Sequence, residues 1–145
     1  MVFVVDDGGV FDAPLEEVWR FVSSPEAHSG AHGHRGTARR RLSENVGEYS
    51  WEQPFDGGTA RFTMRWTALV PLGVAYEVLE GPFAGSRFFL YYTPRGARTG
   101  VTVVGEFVSS AIPLDRLEAV VRRFFATEYE QDRDGIAAMT AAGPS

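Results

Sequence analysis

The stretch of sequence that decides the fold is Phe11-Asp-Ala-Pro-Leu-Glu-Glu-Val-Trp-Arg-Phe-Val-Ser-Ser-Pro-Glu26. Pro14 suits the first position of a helix, and two glutamates follow in the first turn, where the helix dipole favours negative charge. Ser23-Ser24-Pro25 ends this helix and starts a second, very short one, which we expect to reach Ala27 or His28. Apolar residues between these limits follow the i, i+3, i+4, i+7 spacing of a helix with one buried face: Leu15, Val18, Trp19 and Val22.

The residues before and after this stretch follow the pattern of β-strands. Residues 2–12 are rich in valine and phenylalanine, and Gly8-Gly9 indicates a bulge or bend. From about residue 36 to residue 110, apolar and polar residues alternate between breaks at glycine and proline. Because the connections are short, an antiparallel meander is predicted. The candidate strands are residues 37–44, 47–54, 59–70, 73–80, 86–93 and 100–109.

The last predicted element is one long helix. It begins at Pro113 and runs at least to Asp134, where Gly135 could stop it, or as far as Ala142. Twenty-two residues already span roughly 33 Å, which is enough to cross a sheet. Residues 143–145 are predicted to be a flexible tail. One stripe at helical spacing is apolar at first and acidic later: Leu114, Leu117, Val121, Phe124, Phe125, Glu128 and Asp132.

Composition limits the class of protein. A chain of 145 residues fits a single domain, here residues 1–142, with a substantial core. The absence of cysteine excludes disulfides, iron–sulfur clusters and thiolate zinc sites. All 14 basic residues are arginine, which excludes Schiff-base lysine chemistry, and the net charge of −5 argues against nucleic-acid binding. No signal peptide or membrane span is evident, so we expect a cytoplasmic protein without membrane insertion.

The order of these elements, with the Ala-Pro, Val-Trp and Ser-Pro-Glu signature of residues 11–26 and the turn Glu80-Gly-Pro-Phe-Ala-Gly85, resembles the SRPBCC superfamily. This superfamily includes START-type lipid-transfer domains, plant pathogenesis-related allergens and bacterial polyketide cyclases. The resemblance covers essentially the whole chain. It implies an α+β helix-grip fold, in which a bent antiparallel sheet of about seven strands wraps around the C-terminal helix. Two short helices after strand 1 would grip that helix near its C-terminal part, and an apolar cavity would lie between sheet and helix.

Large side chains on the predicted inner face of the sheet and on the last helix are candidates for lining such a cavity. In the stretch from Arg61 to Ala68, for example, apolar residues face one way, whereas Arg61 and Arg65 face the other. These side chains could bind a small hydrophobic molecule, or they could fill the space as core. The candidates are Tyr49, Trp51, Phe62, Met64, Trp66, Tyr76, Phe88, Tyr92, Phe107, Phe124 and Phe125.

All three histidines, His28, His32 and His34, occur within seven positions. The helix-grip arrangement implied by the resemblance would bring them near Glu128 and Asp132, which lie one helical turn apart. Three imidazoles and a carboxylate suit a divalent metal, with zinc first and nickel, iron or manganese as alternatives. The other interpretation is a surface loop with solvated histidines.

Three functions remain open from the sequence. The first is a carrier for a small hydrophobic molecule, working as a monomer or homodimer. The second is a polyketide cyclase or dehydratase-like enzyme, which would need arginine and tyrosine in the cavity. The predicted outward direction of Arg61 and Arg65 argues against this second function. The third is a metal-dependent enzyme or a metal-binding protein that uses the histidines.

Overall fold

The computed structural model describes residues 1–143, in which seven strands and three helices follow one another in the predicted order. Every predicted strand is present, with its ends within two residues of the predicted ones. Pro144 and Ser145, part of the predicted tail, lie outside the described residues. The elements are β1 (Val2–Phe11), α1 (Leu15–Val22), α2 (Pro25–His32), β2 (Arg35–Ser43), β3 (Val46–Phe55), β4 (Gly58–Leu69), β5 (Gly73–Glu80), β6 (Arg87–Arg95), β7 (Arg98–Phe107) and α3 (Leu114–Ala142).

The strands form one antiparallel sheet in the order β1-β7-β6-β5-β4-β3-β2. Strands β2 to β7 are a meander, and β1 joins its far side by pairing with β7. The pairing of β1 shifts between Asp6 and Gly9, so the predicted irregularity at Gly8-Gly9 is a bulge. Strand β2 is an exposed edge that carries Arg39, Arg40 and Arg41, and such charges discourage pairing with another chain.

Helix α3 packs on the inner face of the sheet through two separate apolar clusters. The first cluster surrounds the N-terminal half of α3, where Val121 is fully buried against Phe62 and Phe107. The second surrounds the C-terminal half, where Ile136 packs with α1, the end of β1 and Tyr92 of β6. Residues 128–132 of α3 lie between the two clusters and are mostly polar. The apolar and acidic parts of the predicted stripe therefore occupy different layers of the molecule.

The two short helices grip the C-terminal half of α3, and one sequence prediction about them, the end of α2, was wrong. Of the two ends left open for α3, the structure shows the later one, since the helix continues through Gly135 to Ala142. A Cβ atom at Gly135 would lie 2.6 Å from Phe21 and 2.9 Å from Ala31, so the glycine allows α1 and α2 to approach closely. Helix α2 also extends beyond the predicted end, to His32, and Gly33 in the left-handed conformation then ends it.

The directions of the side chains on β4 agree with the predicted alternation. Arg65 makes a salt bridge of 3.0 Å to Glu48 on the outer face of the sheet, whereas Phe62 and Met64 are buried on the inner face. Arg61 likewise lies 3.6 Å from Glu52. Both arginines therefore point away from the helix side of the sheet, as predicted.

Within residues 1–143, no helix combines the length and the apolar character that crossing a membrane requires.

We predict opposite effects for the same substitution at two helical glycines. Gly135→Ala should lower the free energy of unfolding by about 1–3 kcal/mol, because the added methyl group collides with Phe21 and Ala31. Gly30→Ala is the matched control. A Cβ atom there has no neighbour within 4 Å, so alanine should stabilise α2 by up to ~1 kcal/mol. Urea unfolding of both variants measures the difference, and equal effects would contradict the close packing at Gly135.

Candidate functional site

The candidate site lies in the polar layer of α3, between the two apolar clusters. Helix α2 brings His28 and His32 to this layer, and His34 lies directly before β2. Side chains of α3 and of β3 complete the site. The five residues predicted to surround a metal do come together here: His28, His32, His34, Glu128 and Asp132.

His32 is the centre of the site, and its side chain is only 2% exposed. Its Nδ1 atom lies 3.0 Å from Glu128 Oε2 and 2.6 Å from Gln131 Oε1. Its Nε2 atom lies 2.8 Å from Asp132 Oδ1. Acceptors from α3 thus face both ring nitrogens, and α2 is held at one position along α3.

His28 lies one helical turn before His32, on the same side of α2. Its Nε2 atom is 3.3 Å from Asp132 Oδ1, the same oxygen that faces His32 Nε2. The ring centres of the two histidines are 4.9 Å apart. The His28 side chain is 30% exposed, so this edge of the site is open to solvent.

A chain of hydrogen bonds holds His34 from the other side. Arg39 donates to Ser29 Oγ at 2.6 Å, Ser29 Oγ lies 2.8 Å from Tyr49 Oη, and Tyr49 Oη lies 3.0 Å from His34 Nδ1. The His34 ring also stacks on Trp51, with 4.7 Å between the ring centres. The other ring nitrogen, Nε2, is buried without a hydrogen-bond partner among the described residues.

The surroundings shift the pKa values of the two inner histidines in opposite directions. Burial alone would lower the pKa of His32, but the hydrogen bonds and charges of Asp132 and Glu128 outweigh it and raise the pKa to about 11. Burial, together with the nearby charges of His32 and His28, lowers the pKa of His34 to about 3. At neutral pH, His32 is therefore protonated and His34 is neutral.

The carboxyl group of Asp132 responds to the same contacts. Burial would raise its pKa, but hydrogen bonds from His28 and His32 lower it to about 2. Burial also raises the pKa of the Tyr76 and Tyr92 hydroxyls, and the negative charge of Asp132 adds to this effect. The site therefore keeps a carboxylate at position 132 and neutral phenols on the sheet that faces it.

A cavity of about 250 Å³ adjoins the site between α3 and strands β1, β6 and β7. Its walls are mostly apolar and include Phe11, Leu90, Val101 and Phe125. The acidic residues that line it are Asp6, Glu128, Glu130 and Asp132. The bulge at Gly8 and Gly9 lies at its edge. A smaller cavity of about 110 Å³ lies between β3 and α3 and is lined by Phe124, Gln53 and Glu128, among others.

The eleven residues predicted to line a ligand cavity all lie on the inner side of the fold, but they have different surroundings. Phe125 lines the larger cavity and Phe124 the smaller one. Tyr92 packs in the second apolar cluster, and Trp66 lies against Gly47. The others belong to the first apolar cluster or pack against it: Tyr49, Trp51, Phe62, Met64, Tyr76, Phe88 and Phe107. Contact between these residues and a ligand stays a prediction.

Sequence reasoning missed three polar residues of the site. Gln131 contacts His32, Gln53 donates to Glu128 at 3.4 Å, and Ser29 contacts Tyr49. The sequence spacing could have identified two of them. Gln53 continues the period-two face of Tyr49 and Trp51, and Gln131 lies three residues after Glu128 on the helix.

Comparison with known proteins identifies the fold. No protein-family model and no curated protein sequence matches this chain. The Zhui aromatase/cyclase from Streptomyces sp. R1128 is similar in structure, with a TM-score of 0.82, 18% identity and coverage of 99% of both chains. A START superfamily protein from Mycobacterium smegmatis has a TM-score of 0.72 at 12% identity, with coverage of 94% of this chain and 98% of that one.

The di-domain ARO/CYC StfQ of the steffimycin biosynthetic pathway is also similar, with a TM-score of 0.68 and 17% identity. It matches 94% of this chain but 44% of its own length. These comparisons confirm the helix-grip fold that the resemblance to the SRPBCC superfamily predicted. At this level of identity they establish the architecture alone.

We predict that the protein is most stable near pH 6.5 in the presence of EDTA. Because the pKa of His32 rises from 6.5 to about 11 on folding, the stability that it contributes is complete below pH 6.5 and is lost toward pH 11. The loss is at most about 1.4 kcal/mol per pH unit. His34 changes the pH dependence of stability in the opposite direction. Its pKa falls from 6.5 to about 3, so stability is lost as the pH falls between these values.

Urea unfolding at pH 6.5, 7.5 and 8.5 measures the alkaline part of this profile. His32→Gln should remove the decline, whereas the matched variant His34→Gln should keep it. An equal decline in His32→Gln and the unsubstituted protein would contradict the assignment to His32.

Proposed function

We propose that this protein binds a small ring-containing apolar molecule in the cavity between α3 and strands β1, β6 and β7. The observation that carries the proposal is the cavity of about 250 Å³, whose walls are mostly apolar and include the carboxylates of Glu128 and Asp132 beside the histidines. Similar structures include an aromatase/cyclase and a START superfamily protein, and hydrophobic ligands suit that architecture.

The cavity volume limits the size of the ligand. A cavity of about 150 Å³ holds one benzene molecule in a well-studied protein, so about 250 Å³ suits a molecule of one or two rings. The first apolar cluster fills the space beside the N-terminal half of α3, where Phe62 and Phe107 have no exposed surface. A long acyl chain along the whole helix therefore has no room there.

The polar side of the cavity favours a ligand with a hydrogen-bond donor. Glu128 and Asp132 line it, with 19% and 15% of their side chains exposed. Each carboxylate can accept more hydrogen bonds than the histidines supply. A phenol hydroxyl or an amine on the ligand would be attracted to these oxygens, and a carboxylate would be repelled.

The pKa values of the inner histidines favour binding over acid–base catalysis. Efficient proton transfer needs a group whose pKa is near the working pH. His32 keeps its proton far above neutral pH, and His34 stays neutral far below it. The cyclase alternative is further weakened because Arg61 and Arg65 pair with glutamates on the outer face of the sheet. A cytoplasmic location and a monomeric or homodimeric state stay predictions.

We predict an order of affinities for three naphthalene derivatives. 2-Naphthol should bind at least tenfold more tightly than naphthalene, because a hydrogen bond to a charged group contributes about 1.5–3 kcal/mol. 2-Naphthoate should bind more weakly than both, because its charge faces Glu128 and Asp132. Calorimetry measures all three affinities. If none of the three binds up to its solubility limit, the proposal is wrong.

We predict that filling the cavity removes binding of 2-naphthol. Val101→Phe places a ring in the cavity and should weaken binding at least tenfold, while Val104→Phe should leave it unchanged. Val104 is a matched control because it lies on the same strand but is 38% exposed on the outer face. Ala126→Phe, at an exposed position that lines the cavity, provides a second blocked variant should Val101→Phe unfold.

A further inference from the structure

We propose that His28, His32 and Asp132 bind a divalent transition-metal ion, zinc first, where α2 meets α3. The three donor atoms are the Nε2 atoms of both histidines and a carboxylate oxygen of Asp132. One ligand atom from each of the three residues lies within 4.8 Å of the other two. This inference does not depend on the proposed ligand, because it concerns the ion alone.

The arrangement of the histidines is that of a helical metal site. His28 and His32 are four residues apart on α2, so their rings project from the same side of the helix. Helix α2 ends directly after His32, at Gly33, and is held against α3. The third donor comes from α3, so the site joins two elements that the fold already packs together.

The distances between donor atoms match those around a zinc ion. Zinc–nitrogen and zinc–oxygen bonds are about 2.0–2.2 Å long, so neighbouring donors in a tetrahedral site lie about 3.3 Å apart. Asp132 Oδ1 is 3.3 Å from His28 Nε2 and 2.8 Å from His32 Nε2. Shifts of a few tenths of an ångström would therefore admit the ion.

The hydrogen bonds of His32 direct its Nε2 atom toward the ion. Glu128 and Gln131 both present oxygen atoms to Nδ1, so this nitrogen carries a proton. In the neutral ring, Nε2 then has a free lone pair, which faces an oxygen of Asp132. Because the nitrogen lone pair and the carboxylate oxygen repel each other, a cation must lie between them. Either a proton or a metal ion can be that cation.

In this site, Glu128 would contact a metal-binding histidine without binding the ion itself. Metal-binding histidines commonly donate their second N–H group to a carboxylate, which orients the ring and increases its basicity. The contact of 3.0 Å between His32 Nδ1 and Glu128 Oε2 has this form. The charges also balance, since a divalent ion offsets the two carboxylates of Glu128 and Asp132.

The two overlapping groups of donors predict different roles for His34. His32, His34 and Glu128 form a second group within 4.8 Å, but there the ion would take the His32 nitrogen that contacts Gln131 as well as Glu128. We assign the ion to the first group because His28, His32 and one oxygen of Asp132 meet at a common point. Three protein donors leave one tetrahedral position for water or another molecule.

Zinc binding to the chelator-treated protein tests the proposal directly. Competition with a chromophoric zinc chelator should give one zinc ion per chain, and Co²⁺ should give the intense visible spectrum of a four-coordinate site. Asp132→Asn and His28→Gln should weaken zinc binding more than tenfold. Glu128→Gln should weaken it about 10–100-fold, as expected for an outer partner of a metal ligand.

The controls separate this site from nonspecific binding. Asp134→Asn makes the same change two residues further along α3, at a carboxylate that is 75% exposed, and should leave zinc affinity unchanged. His34→Gln should also leave it unchanged. Circular dichroism verifies that each variant is folded, and His28→Gln, at a partly exposed position, keeps the test valid should Asp132→Asn unfold.

Three results would overturn the proposal. The first is the absence of stoichiometric zinc binding to the folded protein at millimolar zinc. The second is an equal loss of affinity in Asp134→Asn and Asp132→Asn. The third is a large loss in His34→Gln with none in His28→Gln, which would place the ion in the other group of donors.

Discussion

The buried imidazole of His32, held between Glu128 and Asp132, is the interaction on which the rest of the site depends. A protonated ring that is 2% exposed would be costly to bury alone, and the two carboxylates of α3 offset that cost. Because these carboxylates lie one helical turn apart, the ring fits at one position along α3. That position sets where α2 lies, and through α2 it sets where His28 contacts Asp132.

The division of the core into two apolar clusters explains why the cavity lies where it does. Beside the N-terminal half of α3, aromatic rings from the sheet interlock with Phe124 and Phe125 and leave little room. Beside the polar layer, the glycine bulge of β1 and the valines of β7 are too small to fill the space. The cavity therefore opens next to Glu128 and Asp132, so any bound molecule would lie beside the histidine cluster.

Much of this architecture could be predicted from the sequence, because periodicity and turn residues act locally. The alternation on β4 correctly predicted that Phe62 points inward and Arg65 outward. The helical spacing of α3 correctly predicted that Glu128 and Asp132 follow the apolar part of the stripe. Local signals left open where α3 ends, because packing between distant residues decides it. Gly135 is a poor helix former, yet α3 continues through it because α1 and α2 need its small size.

The sequence by itself determined the order of elements, the two faces of the sheet and the concentration of histidines before β2, since these follow from spacing and residue type. Only the tertiary structure decided which aromatic rings fill the core, where a cavity remains, and that His28, His32 and one oxygen of Asp132 meet at a point. About 100 residues separate His32 from Asp132. Their contact depends on the packing of α2 against α3, and no local pattern encodes a distance between two helices.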